Sequence, residues 1–283
     1  MASFVVIYTK IAELQALLNE KRNAGRSIGF VPTMGALHPG HVSLIEASRQ
    51  ECDLTVCSIF VNPTQFNDKA DLERYPRTPE KDAEVLKKAG CDVLFMPGVT
   101  EIYPSEAKPV FDFGRLDKTL EGFYRPGHFN GMAQVVKRFF EIVVPDKAYF
   151  GSKDYQQMLI VKALVVQMHA PIRIVSCPIV RENDGLAMSS RNMLLNPEER
   201  KSASAIPAIM QKARQVAEQY GVVAAKQFIN GEVARMKNTR LEYYEICDTE
   251  TLEELGSLKN SGKNISLIAL FIGKIRLIDN LVF

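Results

Sequence analysis

Only four histidines and five cysteines occur among the 283 residues. No block of five or six like charges is present, and no apolar run reaches the roughly 18 residues that a membrane-spanning helix requires. Each shortage excludes something. The missing apolar run removes a helical membrane span, and the start, Met1 to Tyr8, has apolar residues but neither the basic region nor the cleavage site of a secretory signal. A cytoplasmic protein with no membrane partner is expected. The cysteines Cys52, Cys57, Cys91, Cys177 and Cys247 are odd in number, scattered and without the paired spacing of a zinc site. They predict reduced thiols, no disulfide and no structural metal. Lys and Arg total 35 against 33 Asp and Glu, a net charge of +2. That balance gives no electrostatic footprint for nucleic acid, so a small-molecule partner is expected. Internal repeats and low-complexity segments are also missing.

What remains is an ordinary globular composition, 46% hydrophobic and 24% charged, enough to build a core. The length exceeds that at which single cores stop growing, so a larger domain with a smaller companion is expected. Ile11, Leu14, Leu17 and Leu18 follow a helical stripe, with Thr9 as its N-cap and Gly25 as its stop. Ser27 to Val31 then reads as a strand, Pro32 to Gly40 as a turn-rich loop, and Val42 to Ser48 as the helix after it. Leu54 to Val61 is a nearly continuous apolar run, the pattern of a strand buried on both faces of a parallel sheet, and also a candidate edge or interface. Thr78 and Pro79 take the N-cap and N1 positions of a helix that Gly90 closes, before a strand at Val93 to Met96.

The stripe Met132, Val135, Val136, Phe139, Phe140 and Val143 predicts a helix ended by Pro145, followed by a strand at Lys147 to Phe150. A loop from Gly151, a helix over about Tyr155 to Met168 and a strand at Ile172 to Val175 complete the alternation. Such alternation predicts an α/β fold, a parallel sheet with helices on both faces. Beyond it, Asn196, Pro197 and Glu199 supply the N-cap, N1 and N3 of a helix running to about Gly221. A helix near Ala224 to Asn238, a strand at Leu241 to Cys247 and a hairpin from Ile265 to Ile278 around Gly273 make an α+β tail. The boundary falls near Ile179, dividing residues 1–179 from 180–283.

Three segments carry chemistry. His38 and His41 fall in Pro32-Thr33-Met34-Gly35-Ala36-Leu37-His38-Pro39-Gly40-His41, directly after the first predicted strand. In an open parallel sheet, ligands bind beyond the carboxyl ends of the strands, where the next helix N-terminus offers free N–H groups to phosphate. Gly35 and Gly40 let backbone approach closely, and two imidazoles can donate to phosphate oxygens as charge builds on them. Spacing alone leaves open plain surface-loop histidines beside a turn. Gly151-Ser152-Lys153-Asp154 has the same setting: Lys153 can place a point charge on phosphate and Asp154 suits a helix N-terminus. A solvated Lys-Asp pair is the competing reading. In Met188-Ser189-Ser190-Arg191-Asn192, after Arg181-Glu182-Asn183-Asp184-Gly185, two hydroxyls and a guanidinium make either a polyphosphate clamp or a polar linker.

Together the segments resemble a known family. His38-Pro39-Gly40-His41 is similar to the His-x-Gly-His motif of the nucleotidyltransferase and class I aminoacyl-tRNA synthetase superfamily. Met188-Ser189-Ser190-Arg191 resembles one branch's variant of its Lys-Met-Ser-Lys-Ser loop. Longer strings single out the branch: Pro32 to His41, Ser58 to Pro63 with Gln65-Phe66, Tyr75-Pro76-Arg77, Arg125-Pro126-Gly127-His128-Phe129, Lys153 to Gln157, Asp184 to Asn192, and Arg276-Leu277-Ile278-Asp279-Asn280. Through them the chain resembles the pantothenate synthetase (pantoate-beta-alanine ligase) family over essentially its whole length.

The resemblance implies a Rossmann-like, doubly wound parallel sheet domain followed by a smaller α+β lid domain, in a homodimer. It implies that Met34, Gly35, Ala36, Leu37, His38, Pro39, Gly40 and His41 hold ATP, with His41 as the acid-like catalytic histidine. Gly151, Ser152, Lys153, Asp154, Val180, Met188, Ser189, Ser190 and Arg191 complete the nucleotide site. Gln65 and Gln157 match glutamines that hold pantoate, and the first lies where beta-alanine enters. An amide suits that task because it meets hydroxyls and a carboxylate without adding a repelling charge. Asn62, Tyr75, Arg125 and His128 lie in family motifs too. Members commonly carry Glu or Lys where this chain has Ser152, so that position is not read as catalytic.

The reaction so implied condenses pantoate with beta-alanine, forming pantothenate, AMP and pyrophosphate from ATP through a pantoyl-adenylate, with Mg2+ bridging phosphate oxygens. The protein would position the reactants and stabilise developing charge, a task for His38, His41 and Lys153. A nucleotidyltransferase that leaves AMP on a phosphate-bearing acceptor would share the first loop, as would a nucleotide-binding module without turnover. The acid that supports ATP cleavage, and the appearance of AMP, separate the three.

Overall fold

The structure is a computed structural model that describes residues 5–66, 69–104 and 109–283, so Met1 to Phe4 of the expected start lie outside the described residues. Two compact units form, residues 1–152 with 157–178 and residues 153–156 with 179–283. The first contains six parallel strands, β1 (Val6–Tyr8), β2 (Ile28–Thr33), β3 (Leu54–Ile59), β4 (Val93–Phe95), β5 (Lys147–Gly151) and β6 (Arg173–Cys177). They lie in the order β1-β4-β3-β2-β5-β6. Strand order runs one way from β2 to β4 and the other way from β5 to β6, so β2 and β5 flank the topological switch point. Three-residue β1, too short to carry a pattern, was not foreseen and pairs with β4. The Leu54 to Val61 segment is no edge: β3 pairs with β2 on one side and β4 on the other, and Val56 and Cys57 are fully buried.

Alternation along β2 sends neighbours to opposite faces. Phe30 meets Phe139 and Phe140 of the helix His128–Val143, and Phe139 also makes edge contacts with Phe60 and Phe95. Val31 packs with Leu44 and Ile45 of the helix Pro39–Glu51 and with Leu86 of the helix Pro79–Ala89. Gly90 ends the latter helix with a left-handed φ of 76°, as its position predicts. The first helix, Ile11–Asn23, is not capped by Thr9. Lys10 holds the N-cap position, and the Ile11 N–H donates instead to Glu101 Oε1 at 2.9 Å, a partner 90 residues away.

The second unit carries three antiparallel strands, β7 (Thr239–Asp248), β8 (Asn264–Ile272) and β9 (Ile275–Val282), in that order. Met210, Ala213 and Ala217 of one helix and Ala225, Ile229 and Val233 of the next pack on Tyr244, Ile246, Ile268 and Leu270. The reciprocal capping box at Asn196 and Glu199 forms as its spacing predicts. The helix it opens does not run to Gly221. It ends at Ala203 and a second one spans Ile206–Tyr220, because Pro207 has no N–H for the Ala203 carbonyl and its ring would collide there.

Candidate active site

The histidine loop leaves the carboxyl end of β2. Thr33 Oγ1 donates to the Ser58 carbonyl at 2.7 Å and accepts the Gly35 N–H at 3.2 Å. Gly35 has a φ of +80°, and a Cβ on it would lie 3.0 Å from Asp82 Oδ2 and 3.1 Å from Ile59 Cγ2, so the turn requires glycine twice over. Asp82 is buried in the first turn of the helix Pro79–Ala89. Its two carboxylate oxygens accept the Ala36 N–H at 2.9 Å and the Leu37 N–H at 2.8 Å, with Thr78 Oγ1 at 3.2 Å.

His38 then caps the helix Pro39–Glu51 in a reciprocal pair. Its Nδ1 accepts the Gly40 N–H at 3.2 Å, while His41 Nδ1 accepts the His38 N–H at 3.3 Å, and the rings lie 4.1 Å apart. This corrects the expectation that the helix terminus presents free N–H groups. Pro39 has none, Gly40 donates to His38 and the His41 N–H to the His38 carbonyl at 2.8 Å. The donor role passes to the rings. Since each Nδ1 accepts, a neutral imidazole at either position carries its proton on Nε2 and offers a directed N–H.

Gln65 ends a short turn, Pro63–Gln65, that Asn62 caps. Asn62 is fully buried; its Oδ1 accepts from Tyr103 Oη at 3.0 Å and Thr64 Oγ1 at 3.1 Å. Its amide donates to the Gly131 carbonyl at 3.0 Å and reaches Gln65 Oε1 at 3.4 Å. Gln65 Nε2 in turn lies 2.8 Å from Met34 Sδ, which ties this turn to the histidine loop. A Cβ on Gly131 would fall 2.1 Å from the Thr64 carbonyl, so glycine lets the helix His128–Val143 approach that closely. Burial pushes the Tyr103 phenol up from its usual value. Tyr75 is buried edge-on against Phe66 at 5.7 Å. Gln157 lies half-buried in the first turn of the helix Tyr155–Gln167.

Gly151 ends β5, the other strand at the switch point, and Ser152 Oγ lies 2.8 Å from Ser176 Oγ. In the second unit, Lys153 has a mostly buried side chain whose ammonium lies 3.5 Å from Asp154, and its carbonyl accepts from Asn280 Nδ2 at 2.8 Å. The neighbouring residue, Asp279, is buried and takes the Arg181 guanidinium through both oxygens at 2.7 and 3.0 Å. Arg181 and Ala187 form a bridge, and the Met188 N–H donates to the Val180 carbonyl at 3.0 Å. Ser189 Oγ accepts the Arg191 N–H at 3.3 Å, Ser190 is buried, and Asn192 Nδ2 donates to Glu182 at 2.8 Å. Arg200 bridges Glu182 and Asp184, each at 2.7 Å, and its hydrogen bond holds the Asp184 carboxyl below the ordinary range.

The model of the pantoate-beta-alanine ligase family matches residues 6–282. The chain belongs to the pantoate-beta-alanine ligase family. Pantothenate synthetase from Porphyromonas gingivalis is 46% identical over 277 residues, 98% of this chain and 99% of that protein. Among solved structures, the pantothenate synthetase from Thermus thermophilus superposes with a TM-score of 0.90 at 42% identity, covering 98% of each chain. The Francisella tularensis ligase, complexed with beta-gamma ATP and beta-alanine, gives 0.83 at 35% identity, covering 98% of this chain and 97% of that one. This ligase is therefore an α/β enzyme with a parallel sheet and a smaller antiparallel sheet after it.

In the sequence, Asp279 and Asn280 stand only within a motif, and Asp82 carries no signal of its own. Asp279 anchors Arg181 at the base of the 188–191 loop, Asn280 holds the Lys153 backbone, and Asp82 holds the backbone of the histidine loop. All three act on backbone or on an anchor some distance along the chain, which leaves no local pattern to read.

Proposed function

We propose that this enzyme condenses pantoate with beta-alanine, using ATP to form a pantoyl-adenylate and then releasing pantothenate, AMP and pyrophosphate. The observation that carries the reading is the reciprocal cap of His38 and His41, which directs two neutral Nε2–H donors from the end of β2 at the switch point. In the first step the pantoate carboxylate attacks the α-phosphorus. His41 and His38 donate to the phosphate oxygens as negative charge concentrates there, and Lys153 adds a full charge. Met34 to Leu37, Pro39 and Gly40, with Gly151 to Asp154 and Val180, hold the nucleotide, while Met188, Ser189, Ser190 and Arg191 take its outer phosphates. Gln65 and Gln157 hold pantoate by its hydroxyls and carboxylate, and Gln65 also meets beta-alanine. In the second step the neutral amine attacks the activated carbonyl and AMP leaves.

Mg2+ we take as part of the nucleotide substrate, where it would offset phosphate charge. Residues 1–179 form the nucleotide and pantoate domain in this reading, and residues 180–283 a lid that keeps water from the hydrolysable adenylate. Amide hydrogen exchange across residues 183–193 should slow when ATP and pantoate are added together; unchanged exchange there rules out the lid. The enzyme is taken as cytoplasmic and as a homodimer, the second being the state its family resemblance implies. The reaction is tested by assaying pantothenate and AMP from ATP, pantoate and beta-alanine, omitting each in turn. Both products should require all three. Transfer of AMP onto a phosphate-bearing acceptor that keeps it would overturn the reading.

A further inference from the structure

The proposed role of Gln65 depends on where its backbone sits, and one side chain lies against the carbonyl of that backbone. His128, the first residue of the helix His128–Val143, is buried, and its Nδ1 lies 2.8 Å from the Gln65 carbonyl oxygen. Its Nε2 lies 3.0 Å from Arg125 Nη1, and Arg125 in turn lies 3.6 Å from Glu121. A guanidinium nitrogen only donates, so His128 Nε2 must accept, and the ring proton must reside on Nδ1. The proton then points at the Gln65 carbonyl. The ring is thus locked in the tautomer opposite to that of His38 and His41, by a cation rather than by backbone amides.

We propose that His128 is a positioning residue for the acid substrates: as the neutral Nδ1–H tautomer set by Arg125, it pins the Gln65 carbonyl and so aims the Gln65 amide. With the carbonyl held by His128 and the side chain between Asn62 and Met34, the Gln65 amide has a single orientation before substrate arrives. Preorganisation of this kind lowers the cost of binding and acts on the ligand that the glutamine touches. The inference rests on the reading that Gln65 meets pantoate and beta-alanine.

The two ring nitrogens can be tested apart, because an asparagine amide reaches about as far as Nδ1 and a glutamine amide about as far as Nε2. His128→Asn keeps a donor for the Gln65 carbonyl, whereas His128→Gln keeps only an acceptor for Arg125. Steady-state kinetics of both variants, with Gln65→Ala alongside, should give a pantoate KM that rises roughly tenfold in His128→Gln, the size expected for one hydrogen bond. His128→Asn should stay within roughly threefold of the parent enzyme, and the KM for ATP should hold in both, since Gln65 is read as meeting pantoate and beta-alanine and not the nucleotide. Equal behaviour of the two variants, a matching rise in the KM for ATP, or failure of both to fold would assign His128 a structural role and overturn the inference. An unchanged pantoate KM in Gln65→Ala would overturn the reading of Gln65 itself, and the inference with it.

Discussion

The histidine loop of the first unit and the 188–191 loop of the second are both proposed to hold ATP, yet they are held in different ways. Around Met34 to His41, the anchors are backbone N–H groups: Asp82 takes two, Thr33 one, and the two imidazoles one each. Around Met188 to Arg191, the Val180 carbonyl and the Ser189 hydroxyl take one N–H each, and the other anchors are ion pairs between side chains, Arg181 with Asp279 and Arg200 with Glu182 and Asp184. The first arrangement yields neutral donors with fixed direction, whereas Lys153 and Arg191 bring full charges on long stems. In the proposed reaction both would act where the transition state concentrates charge, the imidazoles through direction and the cations through charge.

The largest effect should follow from removing such a charge. Lys153→Ala should slow single-turnover adenylate formation by roughly 10²- to 10³-fold, about 3 to 4 kcal/mol, with ATP affinity largely kept. Ser152→Ala should change it little. A rate near that of the parent enzyme would remove Lys153 from the mechanism, and a parallel loss of ATP affinity would make it a ground-state binding group.

A smaller loss should follow from loosening the directed donors. In Asp82→Asn an amide nitrogen replaces one carboxylate oxygen and faces a backbone N–H, which costs about 1 to 3 kcal/mol of loop order. Adenylation should fall roughly ten- to a hundredfold by the same free energy. Unchanged single-turnover kinetics in this variant would mean that the histidine loop keeps its shape without Asp82.

The smallest effect belongs to the exposed ion pairs of the second unit. Asp184 has its folded pKa depressed by Arg200, so its contribution to stability is present above the unfolded value of roughly 3.9 and is lost as pH falls through the folded one. Asp184→Asn should therefore lower stability by about 0.2 to 1 kcal/mol at neutral pH and by nothing once the medium is acidic enough to protonate both states. Urea midpoints measured at several pH values test the sign. A difference that grows toward acid would contradict it.

Much of this was legible in the sequence where a residue's partner is near in the chain. Asn196, Pro197 and Glu199 announce a helix start, Gly90 a stop, and His38 with His41 a loop worth attention. The double alternation of apolar runs and turns gave the parallel sheet. What stayed hidden is long-range. Asp82 reads as an ordinary acidic residue in a helix first turn until the fold brings it to amides 45 and 46 positions away. Glu101, capping Ile11, is the same kind of case. The helix terminus after β2 looked open because spacing does not say that two histidines would occupy its donors and each other.

In the proposed reaction, ATP is cleaved by pantoate before any amine is present. Labelled pyrophosphate offered to the enzyme with ATP and pantoate, and no beta-alanine, reads this step alone. Exchange of label into ATP that depends on pantoate is the expected result; exchange that begins only when beta-alanine is added would contradict a discrete adenylate.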